Sequence, residues 1–205
     1  MHFLPTLLLL GTAAAGPLLT RQSSPGPITL LSATASGPGC PSDSTTVSVA
    51  PGGQELTIAF DSWAAEVGPN APGSLREVAC DITVRASVPL GCTVATMQTV
   101  YHGFGQLDAG VTGTFAAQYS VSPGQITSGS NPPNAVISSA AFGGEGNVYT
   151  KTDPWAVRFN PGAPNNQQVA VTVRSRVYLQ GNQGLLGLLS ADDATVSIVS
   201  QGACW

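Results

Sequence analysis

Charge is scarce in this sequence. Of 205 residues only 9% are Asp, Glu, Lys or Arg, against roughly 25% in ordinary soluble domains. The 11 acids outnumber the 7 bases, for a net charge of -4 and a pI near 4.8. A chain so poor in cations has no basic field able to neutralise several phosphates, which argues against nucleic acid and anionic membranes as partners. Histidine is almost missing, with His2 and His102 alone in the sequence. Any Ser-His-Asp chemistry would therefore have to run through His102, and no Gly-x-Ser-x-Gly elbow supplies it with a nucleophile. None of the four cysteines lies two to four residues from another, so a zinc site is not expected. The Gly-rich stretches Gly143–Gly146 and Gly181–Gly187 lack the Lys-Ser/Thr ending of a phosphate cradle, and no cofactor is expected. Every Asn fails the Asn-x-Ser/Thr rule, so N-glycosylation is not expected either.

Long apolar runs are also missing. The first residues, Met1 to Ala15, join Leu7–Leu10 to Ala13, Ala14 and Ala15, the layout of a signal peptide, with cleavage near Ala15 or as late as about residue 19. The run is short of the roughly 20 apolar residues that span a bilayer, and no later segment reaches that length. Residues 16–27, rich in Ser, Pro and Gly, read as a disordered mature N-terminus or propeptide remnant. The ordered domain is expected over residues 28–205. The expected product is a secreted, extracellular chain with no membrane contact once its leader is removed.

What is present is turn chemistry and period-two alternation. There are 24 Gly and 16 Pro. Alternating apolar residues recur at Val47 and Val49; Leu56, Ile58 and Phe60; Ile82, Val84, Ala86 and Val88; Val169, Val171, Val173, Val177 and Leu179; Val196 and Ile198. Breakers punctuate them at Pro51–Gly53, Gly68–Gly73, Pro123-Gly124, Asn131–Asn134 and Asn160–Asn166. The pattern predicts an all-β, single-domain antiparallel β-sandwich, with a closed barrel as the alternative and with Gly184–Leu189 ambiguous between turn and strand. Cys40, Cys80, Cys92 and Cys204 read as two disulfides in a secreted chain. Three pairings exist. A hairpin turning at Pro89-Leu90-Gly91 would set Cys80 opposite a residue near Val100 and disfavour Cys80 with Cys92. The preferred pairs are Cys40 with Cys80 and Cys92 with Cys204, stabilising by roughly 4 and 5 kcal/mol on the chain-entropy account.

Three segments occur in order: Gly37-Pro-Gly-Cys-Pro41, Arg76 to Cys80, and Val100-Tyr-His-Gly-Phe-Gly-Gln-Leu-Asp-Ala-Gly110 followed by Val111 to Tyr119. Together they resemble the small secreted, largely fungal proteins grouped as domain of unknown function 4360, over about Ser32 to Trp205. The resemblance implies compartment and fold and supplies no catalytic residue. It also implies a further cysteine near Trp155–Asn160; this chain has none there and carries Cys92 instead.

Aromatic residues near turns are the candidate binding groups: Trp63, Tyr101, Phe104, Tyr149 and Trp155, with His102 beside them. Exposed rings stack on sugar faces; packing in the core is the competing and better-supported use of the same rings. Asp61, Glu66, Asp81, Asp108, Glu145 and Asp153 are acids for a glycosidase pair, which spatial separation alone would identify. Asp192-Asp193 reads as a solvated turn in preference to a calcium loop. The functional expectation is a non-enzymatic module binding a cell-wall polysaccharide or a host surface component. A secreted hydrolase with acids in a groove and a structural or effector protein with an extracellular protein partner are the alternatives.

Overall fold

The structure, a computed structural model, describes residues 26–142, 145–159, 167–182 and 184–202. The expected leader and most of the expected disordered segment lie outside these residues. In chain order the strands are β1 (Thr29–Ser36), β2 (Thr45–Val49), β3 (Glu55–Phe60), β4 (Ala64–Val67), β5 (Glu77–Val88), β6 (Val94–Leu107) and β7 (Thr112–Ser122). They continue with β8 (Gln125–Ser128), β9 (Ala135–Ser138), β10 (Asn147–Arg158), β11 (Gln167–Gln180), β12 (Gly187–Ser190) and β13 (Asp193–Gln201). Among the described residues helix is confined to single turns at Gly73–Leu75 and Ser139–Phe142.

The strands form two antiparallel sheets that do not close into a barrel. One has five strands in the order β1-β5-β11-β7-β9; the other runs β2-β3-β13-β6-β10-β8, with β12 bridging β6 to β4 at one end. Alternation fixes which face each residue takes, because successive side chains on a strand point to opposite sides. On β5 the inward set is Val78, Cys80, Ile82, Val84, Ala86 and Val88; on β11 it is Val169, Val171, Val173, Val177 and Leu179. Across the interior they meet Ala95, Met97 and Tyr101 of β6 and Ala194 and Val196 of β13 in one continuous core. Each large aliphatic side chain buried there contributes roughly 1.5–3 kcal/mol of transfer free energy.

The expected hairpin at Pro89-Leu90-Gly91 is not formed. The chain turns there, with Gly91 at φ 83°, but β5 pairs with β1 and β11 while β6 pairs with β10, β13 and β12. The connection is an arch from one sheet to the other. It lets Val88 at its start and Ala95 just beyond it both point into the core, whereas a hairpin would have kept both strands in one sheet. Val47 and Val49 share the inward face of their partners Ile58 and Leu56, yet they are exposed, since β2 is the edge strand of its sheet. The ambiguous Gly184–Leu189 segment resolves into a turn, in which Leu185 N–H donates to Asn182 O at 3.1 Å, followed by β12.

Cys40 and Cys80 form a disulfide with Cα atoms 5.5 Å apart. Cys92 is also disulfide-bonded; its expected partner Cys204 lies outside the described residues.

Candidate functional site

Most of the aromatic candidates face inward. Trp63, Tyr101 and Trp155 are 1%, 0% and 1% exposed and Tyr149 is 7% exposed, so none presents a ring face to a ligand. The expectation of stacking platforms at these positions is corrected by strand parity. Tyr101 lies mid-strand in β6, on the same face as Ala95, Met97 and Thr99. Tyr149 and Trp155 occupy inward positions of β10. Their even-numbered neighbours on β6, His102 and Phe104, point outward, His102 exposed and Phe104 half-buried.

The buried rings explain the resemblance motif. Trp63 Nε1 donates to Val78 O at 3.1 Å, and its indole packs edge-on against Phe60 at 4.9 Å. A Cβ on Gly39 would sit 2.3 Å from the Trp63 ring, and Gly37 has φ +133° beside Ala79 O. The Gly37-Pro-Gly-Cys-Pro41 element thus threads a glycine over an indole and delivers Cys40 to Cys80. In β6, a Cβ at Gly103 would meet Ser190 O at 2.2 Å and the Tyr149 hydroxyl at 2.6 Å. The missing side chain leaves room for Tyr149 to donate to Ser190 O at 2.6 Å. These motif residues are structural.

A polar cluster lies deep between the sheets. Lys151 Nζ is paired with Asp153 Oδ1, and Tyr119 OH donates to Asp153 Oδ2 at 2.9 Å. Tyr101 OH lies 2.8 Å from Tyr119 OH, and Trp155 Nε1 donates to Thr99 Oγ1 at 3.1 Å. Burial raises the phenol pKa values of Tyr101, Tyr119 and Tyr149 above the usual tyrosine range, so these hydroxyls remain neutral donors. Asp153 is thereby a core residue and not a groove acid.

On the outer face, the break between β12 and β13 gathers side chains that lie far apart in the sequence. His102 Nδ1 meets Asp193 Oδ1 at 2.8 Å, because Asp193 is its cross-strand partner. Ser190 Oγ donates to Asp192 Oδ1 at 2.8 Å and accepts from Phe104 N–H at 3.3 Å. The imidazole and carboxylate resemble half of a hydrolytic triad, but the hydroxyl is committed to a different acid. Among the described residues no group of three or more His, Cys, Asp or Glu is placed to hold a metal.

One residue pair further along the same face is an open groove of about 430 Å³. Its centre is a cross-strand row: Glu66 on β4, Leu188 on β12 and Gln106 on β6 are direct neighbours, all on the outward side. Pro69 and Asn70 wall it on one side and Asp108 on the other. Asp108 is held by two bonds to one residue, its Oδ2 accepting from Leu186 N–H at 2.7 Å and its own N–H donating to Leu186 O at 2.9 Å. Leu186 itself is 61% exposed at the rim. The groove therefore combines an apolar floor with carboxylate and amide walls. Of the candidate acids, Glu66 and Asp108 share it. A second groove of about 430 Å³ crosses the outer face of the five-stranded sheet, where Asp81, Arg174 and Gln118 lie in one cross-strand row beside Arg176. Arg176 is paired with Glu77 at 3.1 Å.

The architecture is that of an all-β sandwich domain with open grooves on the outer faces of its sheets. Residues 27–203 match the model of the domain of unknown function DUF4360, and the chain belongs to that family. An uncharacterized secreted protein of Arthroderma benhamiae is 26% identical over 95 residues, which is 46% of this chain and 39% of that protein. The chain thus spans well under half the length of that relative. Among solved structures, TmCBM61 in complex with β-1,4-galactotriose is 11% identical, with 80% of this chain and 86% of that one covered, at a TM-score of 0.26. The xylan-binding module CBM15 is 9% identical over 86% and 99% of the two chains, at 0.29. The N-terminal cellulose-binding domain of Cellulomonas fimi β-1,4-glucanase C is 13% identical over 79% and 93%, at 0.28. At these scores neither ligand nor site transfers to this chain.

Proposed function

We propose that this chain is an extracellular, non-enzymatic module that binds a hydroxyl-rich cell-wall polysaccharide in the groove at the β4, β12 and β6 end. The observation that carries the reading is the row Glu66–Leu188–Gln106 with Asp108 beside it. Carboxylates and amides accept from and donate to sugar hydroxyls, while the leucine floor takes the apolar face of a ring. Recognition moves from the aromatic rings, which the core has claimed, to polar side chains. The leader-like N-terminus and the secreted relative support the extracellular placement.

The test is co-sedimentation of the oxidised protein with insoluble chitin, β-glucan and cellulose. Saturable binding to one of them is expected, weakened about tenfold by Glu66→Ala or Gln106→Ala, the scale of one lost hydrogen bond to a charged or well-placed group. Arg174→Ala, in the second groove, should bind as the parent does. No binding to any of the three polymers, or full binding by both groove variants, sinks the reading.

A second reading rests on Glu66 and Asp108 sharing that groove. Paired carboxylates are the machinery of glycoside hydrolysis, provided their separation suits a retaining or inverting mechanism. Release of reducing ends from the bound polymer, abolished by Glu66→Gln with binding retained, would establish a hydrolase in place of a binding module.

A further inference from the structure

Lys151 is the only lysine in the sequence, and it is buried. It lies 5% exposed on the inward face of β10, two residues from Asp153, which is 1% exposed. Among the described residues these are the only buried base and the only buried acid. Nζ is in direct contact with Asp153 Oδ1 and sits over the rings of Tyr101 and Phe115, at 5.9 Å and 5.8 Å from their centroids. The other carboxylate oxygen, Oδ2, accepts from Tyr119 OH, and Tyr101 OH backs Tyr119. A chain that spends charge so sparingly has placed its single primary side-chain amine against a carboxyl group, inside an aromatic enclosure.

We propose that Lys151 and Asp153 are joined in the folded protein by an intramolecular isopeptide bond. In the reacting pair the ammonium first passes one proton to Oδ1 of the carboxylate that it touches, leaving an amine beside a carboxylic acid. The amine lone pair attacks Cγ. Tyr119 OH, already on Oδ2, stabilises the oxygen that gains negative charge in the tetrahedral intermediate. Oδ1 then departs as water, taking its own hydrogen and one from the nitrogen. One C–N bond forms, one C–O bond breaks and no oxidant or reductant is consumed. The product is a neutral amide in place of a buried ion pair.

The sequence makes the test unusually clean. The full chain is denatured, reduced, alkylated and digested with trypsin. A free Lys151 yields two peptides from this region, Ala86–Lys151 and Thr152–Arg158. A bridged Lys151 resists cleavage and yields one peptide, Ala86–Arg158, lighter than its sequence by one water, with the loss placed by fragmentation between Lys151 and Asp153. A succinimide cannot mimic this loss, since Asp153 precedes Pro154, which has no backbone N–H to close the ring. Lys151→Arg should return the region to its full sequence mass, even in unfolded protein. Recovery of the two free peptides at sequence mass, or a water loss that persists in Lys151→Arg, overturns the proposal.

Discussion

The two faces of strand β6 carry different chemistry on one backbone. Inward, Met97, Thr99 and Tyr101 meet Trp155, Tyr119 and the Lys151–Asp153 pair in a region from which water is excluded. Outward, His102, Phe104 and Gln106 line a surface that ends in an open groove. Residues one position apart thus have opposite fates: Tyr101 is fully buried while His102 is exposed. The lesson is that in a sandwich of this kind polar side chains inside are committed to partners within the core, and binding groups are to be sought among their outward neighbours.

Substitutions on the two faces should separate stability from binding. The largest effect is expected for Trp63→Ala, which empties the space against Phe60, Phe115 and Gly39 and removes the bond to Val78. Loss of about 3–5 kcal/mol is expected, read by denaturant unfolding. A loss under about 1 kcal/mol would show that the indole is not the anchor described.

Alkaline titration comes next. The folded state holds the phenols of Tyr101, Tyr119 and Tyr149 protonated beyond their ordinary range, chiefly by burial. The unfolded chain releases those protons from about pH 10 upward, so above that pH it binds fewer protons than the native state and stability falls as pH rises. Below it this contribution is constant. Tyrosinate absorbance should therefore appear together with unfolding for these groups; ionisation well before unfolding would contradict their burial.

The smallest effect belongs to the outer face. His102→Ala removes a pair with Asp193 whose side chains are 50% and 34% exposed, and a change within about 1 kcal/mol is expected. Such a variant should keep whatever polymer binding the parent has, because the pair lies outside the Glu66–Gln106 groove. If it abolishes binding, the site extends along β6 to Phe104 and His102.

Much of the fold was legible. Runs such as Ile82–Val88 and Val169–Leu179 declare strands by period alone, and the glycine and proline clusters mark their ends. The Cys40–Cys80 pair was legible too, although the hairpin that counted against Cys80 with Cys92 does not exist. A turn signal at Pro89-Leu90-Gly91 states that the chain bends; it does not state whether the next strand pairs with the last or crosses to the other sheet. Of the two uses open to the aromatic residues, packing in the core is the one that Trp63, Tyr101, Tyr149 and Trp155 take. Nearness to a turn leaves both uses open, whereas parity within β6 and β10, visible in the same alternation, sets Tyr101 with Met97 and Trp155 with Val157. Neither the His102–Asp193 pair nor the Glu66–Leu188–Gln106 row had any local signal, as their members are far apart in the chain and meet only through strand register.

The sequence by itself determined an all-β chain with little charge and alternating strands, because side-chain period and turn chemistry are local properties. Only the tertiary structure decided which sheet each strand joined, which rings were buried and which acids shared a groove. Those outcomes depend on pairing between distant segments, and each strand offers two edges and two faces whose use is settled by what the rest of the chain places against them.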